Sequence, residues 1–194
     1  MTRILYLSHP EVKIDPQAPV SEWELSGLGR RRLRAAIARG WPGRGWRLIV
    51  SPEVKAQQTA EMLSNAFALP LHTHPDMGEV DRSATGYVDP VQHKALAKAL
   101  FAQPQTSVEG WESADTAQTR ITKAFHEVLA EVSDNMIFVG HGAVGSFLWC
   151  ALTKTPITPA MDQPRGGSFW AGSMSLAGFA PLHPWRALET AAAP

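Results

Sequence analysis

The sequence predicts an α/β protein: a single domain of three layers, with helices on both faces of a mostly parallel central sheet. Three features carry that expectation. Short apolar runs at residues 4–7, 48–50 and 136–139 suit strands buried on both faces. Segments with helical spacing alternate with them, the pattern that builds a parallel sheet through crossover helices. Nothing in the 194 residues repeats and no linker divides them, so one core is expected over residues 1–190, with 191–194 as a flexible tail.

Each element has its own reason. The run 4–7 ends at Ser8-His9-Pro10, and the prolines that follow, Pro16 and Pro19, require a loop. Ser26 is a good N-cap for a helix that carries Leu33, Ala36 and Ile37 and stops at Gly40. The run 48–50 ends at Ser51-Pro52, where serine as N-cap and proline at the first helical position predict a helix through Ala60, Met62 and Leu63. Residues 69–77 suit a short strand and 78–90 a loop. Helical spacing returns at 91–101 and again at 116–132, where Ile121, Phe125, Val128 and Leu129 form one stripe. The third buried run closes on Gly140-His141-Gly142, ahead of an apolar helix over 144–152. Residues 154–167 read as a proline-rich loop and 168–179 as a late strand.

Composition narrows the function classes. Eighteen basic residues offset 18 acidic ones, which argues against broad electrostatic capture of nucleic acid or an anionic membrane. The densest basic run, Arg30-Arg31-Arg32 with Arg34, lies in a helical pattern and reads as a solvated face. Cys150, the only cysteine, sits in an apolar run and reads as a small core residue. Neither thiolates nor a paired-histidine motif offers a metal site, so no metal is expected. No run is long enough for a signal peptide's apolar region or a bilayer span, and a soluble cytoplasmic protein is expected.

In open α/β sheets, ligands bind outside the carboxyl ends of the strands. Two of the three apolar runs end at a histidine, His9 and His141, and the third ends at Ser51, so these ends are expected to converge on one pocket. A neutral imidazole there can attack phosphorus and form a phosphohistidine. A second histidine and the amides of a helix start can steady the charge on the phosphoryl oxygens. His72, His74, His93, His126 and His183 lack that context and read as ordinary surface or hydrogen-bonded residues.

Several segments share an order with one family. Ser8-His9-Pro10-Glu11-Val12 stands where histidine phosphatases of the phosphoglycerate-mutase-like superfamily carry Arg-His-Gly and a polar pair. Leu25-Ser26-Gly27-Leu28-Gly29 is similar to the family's Leu-Thr-x-x-Gly helix entry. The segment Ser51-Pro52-Glu53-Val54-Lys55-Ala56-Gln57-Gln58-Thr59-Ala60 resembles its Ser-x-x-x-Arg-Ala-x-Gln-Thr-Ala motif. Glu79 falls where the family has its proton-donating carboxylate. Trp111-Glu112-Ser113 with Arg120 resembles the next segment, and Val139-Gly140-His141-Gly142 the second-histidine motif.

The resemblance implies a phosphoglycerate-mutase-like fold and a phosphatase that needs no metal or organic cofactor. It implies His9 as nucleophile, His141 as phosphoryl stabiliser, Lys55 as a phosphate contact and Glu79 as acid and then base. A solvated loop carboxylate is the other reading of Glu79, and Asp81 is its nearest rival. The substrate would be a small phosphorylated molecule or a phosphoprotein.

The pattern also departs from the family. Ser8 replaces the first arginine, and a hydroxyl cannot supply its paired, charge-assisted hydrogen bonds. Lys55 replaces a planar fork with a point charge, and Pro10 removes a backbone N–H. Ser8, Lys55 and Arg82 are therefore the candidate phosphate contacts, with Arg165 and Arg120 as further stand-ins. Three readings follow: a phosphatase acting through His9, a degenerate relative that binds an anionic ligand or partner without turnover, and an unrelated serine hydrolase. The last lacks a Gly-x-Ser-x-Gly elbow. The loops 78–90 and 154–167 are expected to shape the substrate end, and the oligomeric state stays open.

Overall fold

The structure is a computed structural model that describes residues 1–132 and 134–192. Its centre is a six-stranded sheet in the order β3-β2-β4-β1-β5-β6. The strands are β1 (Thr2–Ser8), β2 (Arg47–Val50), β3 (Leu71–Thr73), β4 (Met136–Gly140), β5 (Ser168–Ser175) and β6 (Gly178–Ala187). The pairs β3–β2, β2–β4 and β4–β1 are parallel, whereas β5 runs antiparallel to both β1 and β6. Among the described residues, five α-helices surround it: α1 (Gly27–Ala38), α2 (Val54–Phe67), α3 (Pro90–Ala102), α4 (Ala114–Glu131) and α5 (Gly142–Thr153).

The period of two along the strands divides the core. Ile4 and Tyr6 of β1, with Met136 and Phe138 of β4, face a cluster that includes residues of α3, α4 and α5. Leu5 and Leu7, with Ile137 and Val139, face the other side, where α1 and α2 contribute Leu33, Ala36, Ala60 and Leu63. Both faces of the central strands are thus covered, which is why they read as continuous apolar runs. The architecture is the expected three-layer α/β/α domain.

Four local expectations are corrected. The segment 168–179 is not one strand but most of a hairpin, β5 and β6, with Pro181 and Pro184 in the edge strand β6. Helix α2 starts at Val54 with Glu53 at its N-cap; the Ser51 hydroxyl accepts the Glu53 amide at 3.2 Å, just ahead of the helix, and also meets His141 Nε2. Arg32 is not solvated: its buried guanidinium pairs with Glu11 and Glu189 at 2.6 Å each and donates to the carbonyls of Gly166 and Gly167. Ala191, expected in the tail, is buried and accepts a hydrogen bond from Arg39 at its carbonyl. Residues 193 and 194 of that tail lie outside the described residues.

Cys150 is buried in α5 as expected. Among the described residues no helix is long and apolar enough to cross a membrane.

Candidate active site

The parallel register of β1 and β4 pairs Ser8 with Gly140, so the next residue on each strand is a histidine. The His9 amide donates to the Gly140 carbonyl at 2.9 Å, and the two imidazoles stand edge to face with centroids 5.2 Å apart. Behind them the fully buried Tyr6 stacks on Trp170 and accepts the His141 amide at its hydroxyl, 3.1 Å away. A side chain at Gly140 or Gly145 would collide with the Tyr6 ring or hydroxyl, which gives both glycines a packing reason.

His9 Nδ1 lies 2.8 Å from the Pro10 carbonyl. An acceptor there selects the tautomer with the proton on Nδ1 and leaves the Nε2 lone pair free. Burial, reinforced by the charge of Lys55, holds the His9 pKa down at about 4, so the ring is neutral near pH 7. Burial likewise drives His141 well below the ordinary imidazole value, against the opposing pull of Glu53. His141 Nε2 meets the Ser51 hydroxyl at 2.7 Å and Glu53 Oε1 at 3.4 Å. Its buried Nδ1 has no hydrogen-bond partner among the described residues.

Glu53 is the residue that sequence reasoning missed. Beyond its contact with His141, Oε1 accepts the Glu79 amide at 2.7 Å, and Oε2 pairs with the Lys55 ammonium. Burial acts to raise its pKa, but the facing positive charges, those of His141 when protonated and of Lys55, hold it at about 2. Lys55 is buried too, and it also donates to the Val20 carbonyl at 2.6 Å. The ammonium expected at a phosphate therefore already carries a carboxylate.

Glu79 sits over the start of α5. Its Oε1 accepts the amides of Val80 and Val144 at 3.0 and 3.2 Å, and Oε2 accepts that of Ala143 at 3.3 Å. Those amides favour the carboxylate, yet burial outweighs them and raises its pKa. Arg120 holds the loop behind it. The guanidinium donates to the carbonyls of Asp76, Gly78 and Glu79 while paired with Glu112, so Arg120 positions Glu79 and does not line the cavity. Asp81, the rival of Glu79, is exposed and turned to Ser83.

The remaining candidates separate clearly. Ser8 faces away: its hydroxyl donates to the Ser168 carbonyl and accepts the Ser168 amide, both at 3.1 Å, and it is absent from the cavity lining. The expectation of a phosphate contact there is corrected, because β5 takes up the hydroxyl's hydrogen bonds. Arg82 does line the cavity, its guanidinium 5.4 Å from the Trp111 ring centroid. Among the described residues Arg82 has no carboxylate partner within ion-pair distance. Arg165 reaches the mouth, paired with Glu189.

His9, Lys55 and Glu79 form the floor of a cavity of about 530 Å³, with His141 and Glu53 standing behind that lining in contact with His9 and Lys55 respectively. The loops 78–90 and 154–167 contribute to its wall as expected, through Tyr87, Val88 and Gln163 among others. Helix α3 and residues of the segment after His9, including Trp23, complete it, which the sequence reading had not anticipated. Among the described residues, no group of three or more His, Cys, Asp or Glu side chains is arranged to hold a metal ion.

Ser51, His141 and Glu53 have the composition of a hydrolase triad. The serine and the carboxylate both approach Nε2, however, so the ring cannot relay a proton between them. Ser51 is also fully buried and absent from the cavity lining.

Comparison with solved structures finds the same fold in several phosphatases. The complex of mycobacterial glucosyl-3-phosphoglycerate phosphatase with inorganic phosphate matches with a TM-score of 0.79 at 20% identity, over 98% of this chain and 100% of that one. A mutant phosphoserine phosphatase from Entamoeba histolytica, in complex with phosphoserine, matches with a TM-score of 0.76 at 13% identity, over 97% and 98% of the two chains. Bacillus stearothermophilus YhfR matches at 0.77 and 17% identity, over 93% and 95%. At these identities the likeness is one of fold. No curated protein sequence matches the chain. The family model of the histidine phosphatase superfamily (branch 1) matches residues 15–164. That span begins after His9, whose place rests on the register of β1 against β4. It covers most of the chain, including Lys55, Glu79 and His141, and the protein belongs to the histidine phosphatase superfamily.

Proposed function

We propose that the protein is a phosphomonoesterase that transfers a phosphoryl group first to His9 and then to water. The observation that carries the reading is a complementary pair at one cavity floor. His9 is kept neutral with its Nδ1 proton engaged, and Glu79 is kept towards its protonated form. Groups whose environments push their pKa values apart in this way suit nucleophile and acid roles.

In the first step His9 Nε2 attacks phosphorus as the bond to the leaving oxygen breaks, and Glu79 gives that oxygen a proton. In the second, Glu79 takes a proton from water, whose oxygen attacks phosphorus as the P–N bond breaks. Phosphate leaves, and His9 and Glu79 return to their starting forms. Arg82, which lines the cavity, and the unpartnered Nδ1 of His141, buried behind the lining, are the donors to the phosphoryl oxygens, while the charge of Lys55 is offset by its pair with Glu53. The phosphate-bound and phosphoserine-bound structures sharing this fold support the reading.

The test is rapid acid-free quenching of the protein with a labelled aryl phosphate. An acid-labile, base-stable phosphohistidine that disappears in His9→Ala is the expected result. Turnover by His9→Ala at the wild-type rate would overturn it. One observation favours a second reading, a relative that binds an anion without turnover: Lys55 is already paired with Glu53. That reading expects phosphate binding with no labelled His9.

A further inference from the structure

On the phosphatase reading, phosphate would take up only the floor of a cavity whose volume, about 530 Å³, lies within the range of small-molecule pockets. What fills the rest is the alcohol part of the substrate, and the wall bears on its chemistry. Trp23, Tyr87, Val88, Leu100, Phe101 and Trp111 line it. The polar handles of its two indoles are engaged elsewhere. Trp111 Nε1 donates to the Thr85 hydroxyl at 2.8 Å, and Trp23 Nε1 donates to the carbonyls of Asp15 and Ala18. His93 lies 5.8 Å from the Trp111 ring, and burial, helped by the charge of Arg82, lowers its pKa and keeps it uncharged. The Arg82 guanidinium rests over the same indole on the way to the floor.

We propose that the site selects phosphomonoesters of apolar alcohols, aromatic ones above all, over those of sugars and polyols. The proposal rests on the phosphatase reading of the floor. A polyol placed against this wall would give up its hydrogen bonds to water and find few replacements, whereas an aromatic ring would bury its faces against indole and phenyl carbon. The other polar groups of the lining are Glu11, paired with Arg32, Arg165, paired with Glu189, and the side chains of Tyr87, His93, Asp162 and Gln163. The buried Glu11 Oε2 and Gln163 Oε1 have no partner among the described residues and can each accept from a ligand hydroxyl. The faces of the indole and phenyl rings offer a polyol no such partner, and it is against them that the bulk of the alcohol would lie.

The experiment uses two non-hydrolysable phosphonates, so that binding is read apart from turnover. Calorimetry on the wild-type protein compares 1-naphthylmethylphosphonate with 2,3-dihydroxypropylphosphonate. The naphthyl compound is expected to bind at least about tenfold tighter, the gain from burying one aromatic face. Trp23→Ala, at a partly exposed wall position, is expected to remove most of that preference while leaving the affinity for inorganic phosphate unchanged. Equal binding of the two phosphonates, or tighter binding of the polyol, overturns the proposal. If the naphthyl preference holds but no phosphohistidine forms, the phosphatase reading falls and the apolar site stands. If phosphohistidine forms and the polyol wins, the reverse is true. An unchanged naphthyl preference in Trp23→Ala, repeated in Val88→Asn, also counts against the proposal.

Discussion

The floor of the cavity comes from strand ends and helix starts, whereas most of its wall comes from connections. His9 and His141 follow β1 and β4 directly, Lys55 lies in the first turn of α2, and Glu79 is held by amides at the start of α5. Trp23, Tyr87 and Val88 lie between elements, and Trp111 just ahead of α4. The floor is dense with charge and hydrogen bonds; the wall is mostly carbon. A buried sheet can hold reacting groups to the tolerance that phosphoryl transfer needs, while loops can change their side chains without moving those groups. The proposed chemistry and the proposed selectivity thus fall to different parts of the fold.

The most severe break in that division is His9→Ala. On the proposed mechanism, removing His9 is expected to lower kcat/KM on p-nitrophenyl phosphate by on the order of 10⁴-fold or more, since it takes away the group assigned to form the covalent intermediate. Steady-state kinetics checks it. The variant also tests the environment of the floor. The folded state keeps His9 neutral down to about pH 4, while in the unfolded chain the ring takes up a proton at the ordinary imidazole value of 6.5. Between those values the unfolded state binds more protons, so wild-type stability falls as the pH drops from 6.5 towards 4. His9→Ala should flatten that slope by about 1–2 kcal/mol over the window in urea unfolding at pH 6.5 and pH 4.5. His141, shifted in the same direction, leaves a residual slope.

Glu79→Gln comes next. It keeps the amide contacts but removes the transferable proton, and a loss of about 10²–10³-fold in kcat is expected for an alkyl phosphate. The loss should be much smaller for p-nitrophenyl phosphate, whose leaving oxygen needs no proton. Because burial raises the Glu79 pKa, the wild-type rate on the alkyl substrate should decline on the alkaline side above the ordinary carboxylate range. The variant should lack that limb. An equal loss on both substrates would remove Glu79 from the acid role.

A smaller effect sharpens the charge balance of the floor. Glu53 keeps an ionised carboxylate between His141 and Lys55, where it opposes an incoming dianion. Glu53→Gln retains an acceptor for the Glu79 amide and releases Lys55. Its dissociation constant for inorganic phosphate should fall about tenfold by calorimetry, the scale of one charge-assisted contact. Weaker binding would mean that Glu53 serves mainly to orient His141.

Much of the floor was legible in the sequence because strands buried on both faces announce themselves as apolar runs, and the residue after each lies at the carboxyl end of the sheet by construction. His9 and His141 could be placed on that basis. Glu53 could not, since a carboxylate two residues from a lysine in a helical first turn looks like any solvated pair. Only the fold reveals that Lys55 and His141 enclose it. The start of α2 lies two residues later than the serine suggests: the Ser51 hydroxyl accepts the Glu53 amide, still ahead of the helix, and also bonds His141 Nε2. The edge strand β6 escaped because Pro181 and Pro184 disrupt the propensity signal, and an edge tolerates them. The wall was the least legible part, because its residues come from segments distant in sequence whose meeting depends on how the loops pack.

The last prediction concerns Ser8, which the family pattern would place at the phosphate and the fold places behind it. Its hydroxyl sits one residue from the nucleophile, yet it both donates to and accepts from the Ser168 backbone, tying β1 to the start of β5. Ser8→Ala therefore strands a buried amide without touching the cavity. An unpaired buried backbone donor costs about 1–3 kcal/mol, which chemical denaturation should read as a lower midpoint at unchanged slope. Phosphate affinity should stay within about twofold of wild type, since neighbours in sequence act on opposite sides of the strand. A serine at the phosphate would give the opposite result, weaker phosphate binding with stability nearly intact. The pair of measurements distinguishes a residue that builds the floor from one that reacts on it. If binding falls while the midpoint holds, the side chain reaches the ligand in solution and the orientation of Ser8 described above is overturned.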